Sequence, residues 1–219
     1  MAELRTEEEQ LDAIKRWWKE NGTALIVGAA LAGAGIFGWN AWQNYQENQA
    51  EAASLRYQQL VNLADAEALD DEGLAQARAL ADEIVDNHGR TLYADMARLI
   101  DARLAVAQDD HDAAQAALRA VIDASKRDYI QGLARLRLAR LQVAQGDAEA
   151  ALETLDSGIP DALAAQRADI RGDAQLALGR EDQAREAWRE ALAHAEQRDQ
   201  PIYGVQLKLE NLGVEEAIL

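Results

Sequence analysis

The stretch Ala139-Arg140-Leu141-Gln142-Val143-Ala144-Gln145-Gly146-Asp147-Ala148-Glu149-Ala150-Ala151-Leu152-Glu153-Thr154-Leu155 reads as two helices meeting at a turn. Alanine and unbranched side chains favour helix on both sides, and Gly146 punctuates them. The pattern recurs without gaps around Gln108-Asp109-Asp110 and Leu178-Gly179-Arg180. Counting from Asp109, Gly146 and Gly179, the residues seven earlier are Ala102, Ala139 and Gly172. Five later come Ala114, Ala151 and Ala184, and nine later Leu118, Leu155 and Trp188. The turns are 37 and 33 residues apart, and a weaker copy turns near Asp71, 38 residues before the first. Small residues at the first two positions let the helices of a hairpin cross closely. The larger residue fills the gap against the next hairpin, so the copies stack.

Those positions and that period resemble tetratricopeptide repeats, with longer turns early in the array. The expected fold class is all-α: a single N-terminal transmembrane helix followed by a tetratricopeptide-like helical-hairpin solenoid. Helices are expected over 72–87, 91–107, 112–125, 129–144, 148–156, 161–178, 182–197 and 202–212. Gly89, Gly146, Gly158 and Gly179 fall at helix ends, and Pro160 and Pro201 open new helices. In the last helix Val205, Leu209 and Leu212 share a face, suited to capping the exposed end of a stack. The capping helix is taken as residues 203–212 of the repeat domain.

Composition agrees with helix. Of 219 residues, 49 % are apolar but only 5 % aromatic, and two are proline. The net charge of −17 argues against nucleic-acid binding. Cysteine is absent, which removes disulfides, thiolate metal sites and cysteine nucleophiles while allowing an oxidising compartment.

Upstream of the repeats, Thr23 to Ala41 contains only Thr23 and Asn40 as polar residues. Twenty helical residues rise roughly 30 Å, about the thickness of a hydrocarbon core. Trp17 and Trp18 precede the run and Trp39 and Trp42 close it, matching the aromatic belts of two membrane interfaces. A cleaved signal peptide would need a short basic leader, whereas this one is 22 residues long and acidic. The apolar run also continues past the small-residue site Ala30-Leu31-Ala32. Arg5, Lys15, Arg16 and Lys19 lie before the span, and the next basic residue is Arg56. The positive-inside rule then gives a cytoplasmic tail over 1–22, a transmembrane helix over 23–42 and a periplasmic repeat domain over 43–219. The anchor helix is expected to continue outward from Gln43 to Ala64, carrying Leu55, Leu60 and Leu63 into the first repeat. Gly28, Ala32 and Gly35 form a small-residue stripe. Such a stripe either packs against a partner helix or reflects a weakly hydrophobic span.

Catalytic chemistry is not legible. His88, His111 and His194 show no metal-ligand spacing, and Asp109-Asp110-His111-Asp112 lacks the alternating ligands and distal glutamate of a calcium loop. Phosphate loops, nucleophile elbows and zinc-protease motifs are missing. The reading is a non-enzyme with no catalytic, metal or cofactor residues. A binding face is legible instead. Mapped onto the first helix of each hairpin, the inward positions are Met96, Leu99, Arg103 and Val106, then Leu133, Leu136, Arg140 and Val143. Gln166, Asp169 and Asp173 break the pattern in the last copy. An apolar strip with arginines suits extended polypeptide, the arginines holding carboxylates or carbonyls. Alternatively the C-terminal helix or the first repeat folds over the strip and makes it core.

The opening Glu7-Glu8-Glu9-Gln10-Leu11-Asp12-Ala13-Ile14-Lys15-Arg16-Trp17-Trp18-Lys19-Glu20-Asn21-Gly22, running into the span, resembles the YfgM family. The closing Leu207-Lys208-Leu209-Glu210-Asn211-Leu212 and the repeats between are also similar to it. The resemblance implies an inner-membrane, ancillary subunit of the bacterial SecYEG translocon. It implies a PpiD-type membrane-anchored periplasmic chaperone as partner, and help in handing newly translocated polypeptides to periplasmic chaperones. A scaffold without nascent-chain contact, or an envelope-stress regulator, is the competing expectation.

Overall fold

In the computed structural model of the chain, which describes residues 7–65, 70–156 and 158–213, the regular elements are helical. They are α1 (Glu7–Ala64), α2 (Asp71–His88), α3 (Leu92–Ala107), α4 (His111–Ala124), α5 (Asp128–Ala144), α6 (Ala148–Leu155), α7 (Ala164–Ala177), α8 (Glu181–Gln197) and α9 (Val205–Asn211), with a 3₁₀ turn at Asp161–Leu163 before α7. The chain divides into two units, Met1–Glu51 and Ala52–Leu219.

In the first unit α1 carries the apolar run. Its most apolar window has a mean hydropathy of 1.6 and is only 6 % buried; among the described residues α1 is the one helix long and apolar enough to cross a membrane. A core helix of a soluble protein would bury this surface. Here Ile26, Leu31, Ile36 and Phe37 are all more than half exposed, as are Trp17, Trp18, Trp39 and Trp42.

The second unit opens with the end of α1. Ala53, Leu60 and Ala64 are buried and Tyr57 half-buried, a spacing that sets one stripe along the helix. Leu55, expected in the first repeat, is 59 % exposed because it falls on the opposite side of that stripe. α2 to α8 follow, with hairpins α3–α4, α5–α6 and α7–α8; α2 packs on α3, and the end of α1 shares their apolar cluster. Their apolar residues form a series of clusters, each shared by successive helices: Leu60 with Leu74, Ile84 and Leu104; Leu99 with Leu118, Val121 and Leu138; Leu136 with Leu155, Leu163 and Ile170; Trp188 with Ala168, Val205 and Leu209. That is the nearest-neighbour core of a stacked repeat.

The turns explain why the three copies align. Asp109, Gly146 and Gly179 all adopt left-handed backbone, with φ of 58°, 84° and 72°. After each, the next amide donates back to a carbonyl of the preceding helix at 2.9 Å: Asp110 to Ala105, Asp147 to Gln142 and Arg180 to Gln175. This closure satisfies carbonyls that a helix end leaves unpaired. Aspartate tolerates the left-handed region better than most side chains, so Asp109 stands in for glycine. Asp199, φ 50°, repeats the same closure through Gln200 and Ala195 at the end of α8, a turn the sequence reading missed. The weak copy expected near Asp71 adjoins residues 66–69, which lie outside the described residues. α2 itself begins at Asp71, where the Asp70 carboxylate accepts from the Gly73 amide at 2.8 Å.

Two helix starts differ from expectation. Pro160 leads into a 3₁₀ turn, and α7 proper begins at Ala164, because Leu163 leaves the helical region at ψ 14°. Pro201 does not open α9. Gly204 adopts φ 82°, so the helix starts only at Val205.

Within the hairpins the small positions are closed. Ala102, Ala139, Ala114, Ala151 and Ala184 are at most 3 % exposed, and Gly172 is buried. Gly172 is the tightest: a Cβ there would overlap the indole of Trp188, itself 1 % exposed. At Gly146 a Cβ would meet nothing within 4 Å, so only backbone strain opposes a side chain. Gly146→Ala should cost about 1–2 kcal/mol. Gly172→Ala should cost more, at or above the roughly 3 kcal/mol upper end for overpacking. Urea unfolding of the two variants checks the order; equal losses would contradict the close approach at Gly172.

Candidate functional site

The inward positions fall on the first helix of successive hairpins, and the structure sorts them. Leu99 is 5 % exposed and Leu136 4 %, and both are held by apolar residues of the following helices. They belong to the core, buried by the neighbouring hairpin and not by a C-terminal helix folded over them. Leu133 is half-buried and packs against two clusters. Met96 and Val143 are half-buried, while Arg103, Val106 and Arg140 are exposed. What remains accessible is therefore a face of guanidiniums with interspersed apolar side chains, floored by leucine.

The arginines are not equally engaged. Arg103 on α3 donates to the Asp65 carboxylate at 2.8 Å and to the Ala64 carbonyl at 3.2 Å. Arg137, which the register argument passed over, reaches from α5 back to the Leu99 carbonyl at 3.3 Å. A signal for it was present, since Arg137 and Arg140 lie three apart and so share a helix face. Arg140 makes no hydrogen bond or ion pair among the described residues. Burial, then the charges of Arg103 and Arg140, lowers the pKa of Arg137 below the ordinary arginine value. Tyr57 of α1 packs against Tyr93 of α3 with the rings tilted by 44° and their centres 5.6 Å apart. Burial raises the Tyr57 hydroxyl above its usual value, with Arg103 opposing.

The strip ends where α9 packs. Lys208 places its ammonium 2.6 Å from Asp169 and 2.6 Å from Asp173, and 5.8 Å from the Trp188 ring centre. Trp188 in turn donates its indole N–H to the Asp169 carbonyl at 3.2 Å. The aspartates that interrupt the inward pattern thus bind the last helix, whose Val205 and Leu209 are fully buried. Burial pushes the Asp173 carboxyl above its ordinary value; Lys208 pulls the other way and the Asp169 charge adds to the rise.

The remaining sequence candidates are also placed. Asp110 accepts from the Ala113 amide at 3.1 Å as the cap of α4, so the acidic turn around His111 serves the helix start. Among the described residues no group of three histidine or acidic side chains is disposed to hold a metal. Gly28 and Gly35 meet no atom within 4 Å of a hypothetical Cβ, and Ala32 is exposed, so the stripe has no partner among the described residues of its own unit.

A helix able to cross a membrane, followed by stacked hairpins of this register, defines an anchored repeat protein of the tetratricopeptide class. The family model for a tetratricopeptide repeat-like domain matches residues 15–214. Three similar proteins carry the name ancillary SecYEG translocon subunit. That of Haemophilus influenzae is 32 % identical over 97 % of this chain and 100 % of its own length. That of Aggregatibacter actinomycetemcomitans is 34 % identical over 97 % and 100 %. That of Escherichia coli K12 is 33 % identical over 95 % and 97 %. No solved structure matches the chain. The chain belongs to the family of ancillary SecYEG translocon subunits.

Leu99→Ser and Leu136→Ser should each lower stability by at least the roughly 2–5 kcal/mol of a leucine truncation. Arg140→Ala should stay within about 0.5 kcal/mol of wild type. Thermal melts followed by far-UV circular dichroism separate core from face, and tolerance of the serines would return the leucines to the surface.

Asp173 gives a pH signature. Its raised folded-state pKa means the stability it contributes is present below its ordinary value of 3.8 and is lost as pH rises through the folded-state value. Relative to Asp173→Asn, wild type should lose stability as pH is raised through that window. Parallel stability curves for the two proteins would contradict the assignment.

Proposed function

We propose that this protein is an ancillary subunit that sits beside the SecYEG translocon and helps pass newly translocated polypeptides to periplasmic chaperones. The observation that carries the reading is the likeness to translocon subunits over nearly the whole chain, anchor helix and repeats together. In this reading residues 1–22 are a cytoplasmic tail, 23–42 span the inner membrane and 43–219 lie in the periplasm. The basic residues before the span and their absence until Arg56 support that direction. The tryptophans at 17, 18, 39 and 42 hold the depth of the span. The Gly28, Ala32, Gly35 stripe is the face assigned to a partner helix, since small residues let backbones approach within lipid.

The repeat unit supplies binding and no chemistry. Its inward face offers guanidiniums for carbonyls and carboxylates beside Met96, Leu133, Val106 and Val143 for apolar side chains, a combination suited to extended chain. A PpiD-type membrane-anchored chaperone is the partner to which the polypeptide would pass.

Mild-detergent extraction of the tagged full-length protein, with co-purifying proteins identified by mass, tests the reading. Translocon subunits together with a membrane-anchored periplasmic chaperone are expected. Recovery of a fixed set of cell-wall assembly proteins without the translocon would favour a scaffold and overturn the proposal.

A further inference from the structure

Acidic residues outnumber basic ones 39 to 22 in this chain, so an arginine has carboxylates within easy reach almost anywhere. Several arginines of the repeat unit use them. Arg78 pairs with Asp101, Arg127 with Asp95, Arg171 with Glu190 and Arg185 with Asp182. On the inward face, among the described residues, Arg103 alone does so. The charges of Arg103 and Arg140 both bear on Arg137, yet Asp65 is the sole carboxylate paired to any of the three among the described residues. Arg137 gives its hydrogen bond to a backbone carbonyl, and Arg140 makes no hydrogen bond or ion pair among the described residues.

Three like charges gathered around one counter-charge raise the energy of the folded state, and partial burial of Arg137 adds to that cost. The carboxylates nearest in pattern, Asp169 and Asp173, are already committed to Lys208. Guanidiniums with free donors form the strongest and most directional hydrogen bonds with carboxylates. Met96, Val106 and Val143 share the inward positions with them and are partly or fully exposed, apolar surface that a flexible polyanion would not use.

We propose that this face selects acidic segments of extended polypeptide, in which carboxylates seat on Arg137 and Arg140 while interleaved apolar side chains lie against Met96, Val106 and Val143. The proposal rests on the peptide-face reading given under Proposed function and adds the chemistry of the preferred segment. An overall charge of −17 would otherwise repel such segments, so without this cluster the chain should prefer neutral or basic ones.

Full-length protein in neutral detergent micelles can be titrated into two fluorescein-labelled peptides, one alternating leucine and glutamate and one alternating leucine and glutamine. The acidic peptide should bind about tenfold or more tightly than its amide twin, as two charge-assisted contacts allow. Added salt should shrink the difference, because the guanidiniums are partly exposed. Arg137→Gln/Arg140→Gln should abolish the preference, and Arg119→Gln on the exposed side of α4 should keep it. Arg140→Gln alone should halve the preference or more, and it carries the test if the double variant melts early. Both peptides binding alike to wild type would overturn the acidic preference and leave the peptide face standing. A preference that survives the double variant would place the acid site elsewhere and overturn it too. If neither peptide binds, the peptide face itself fails, and the proposal with it.

Discussion

Each hairpin of the repeat unit closes through small buried residues, Ala102 and Ala114 sharing one cluster and Ala139 and Ala151 the next. A methylene more at these positions forces the axes apart, and a close-packed interior answers with strain. Gly172 shows the limiting case, where the indole of Trp188 occupies the space of a side chain. Once the hairpins are closed, the larger residue of each signature reaches the next helix, and the core becomes a chain of clusters each shared with its neighbours. The inward face, the burial of Leu99 and Leu136 and the seat of α9 follow from that crossing distance.

The turn geometry is the second consequence. A left-handed residue lets the chain reverse within three positions while satisfying the last carbonyls of the first helix. Glycine does this without steric penalty and aspartate at modest cost, so Gly146, Gly179, Asp109 and Asp199 can play one role despite differing in sequence.

This is also why some of the molecule was legible from sequence and some was not. Three turns with small residues at fixed offsets place α3, α4, α5, α6 and α8 to within about a residue, and the end but not the start of α7, since helix period and turn chemistry are local properties. The turn at Asp199 escaped because no second hairpin follows it to provide offsets. The burial of Leu99 and Leu136 was left open because a leucine on an inward stripe looks the same whether a neighbour covers it or not. Arg137 was passed over because the register gave that step of the helix to its neighbour Leu136. The bond from Lys208 to Asp169 and Asp173 spans more than thirty residues and leaves no periodic trace. Long-range polar contacts of this kind are decided by packing, and packing is what a single sequence hides.

Electrostatics and packing then divide the labour of the face. Leucines provide the floor and hold the hairpins in register, while arginines with few internal partners provide the chemistry offered to another chain. The most direct measurement of the central claim is photo-crosslinking in living cells from a probe residue at Val143 on the inward face, compared with one at Ala120 on the exposed side of α4. Crosslinks to many secreted precursors from Val143, and few from Ala120, are the predicted result. Equal capture from both positions, or a single fixed partner at Val143, would contradict the account.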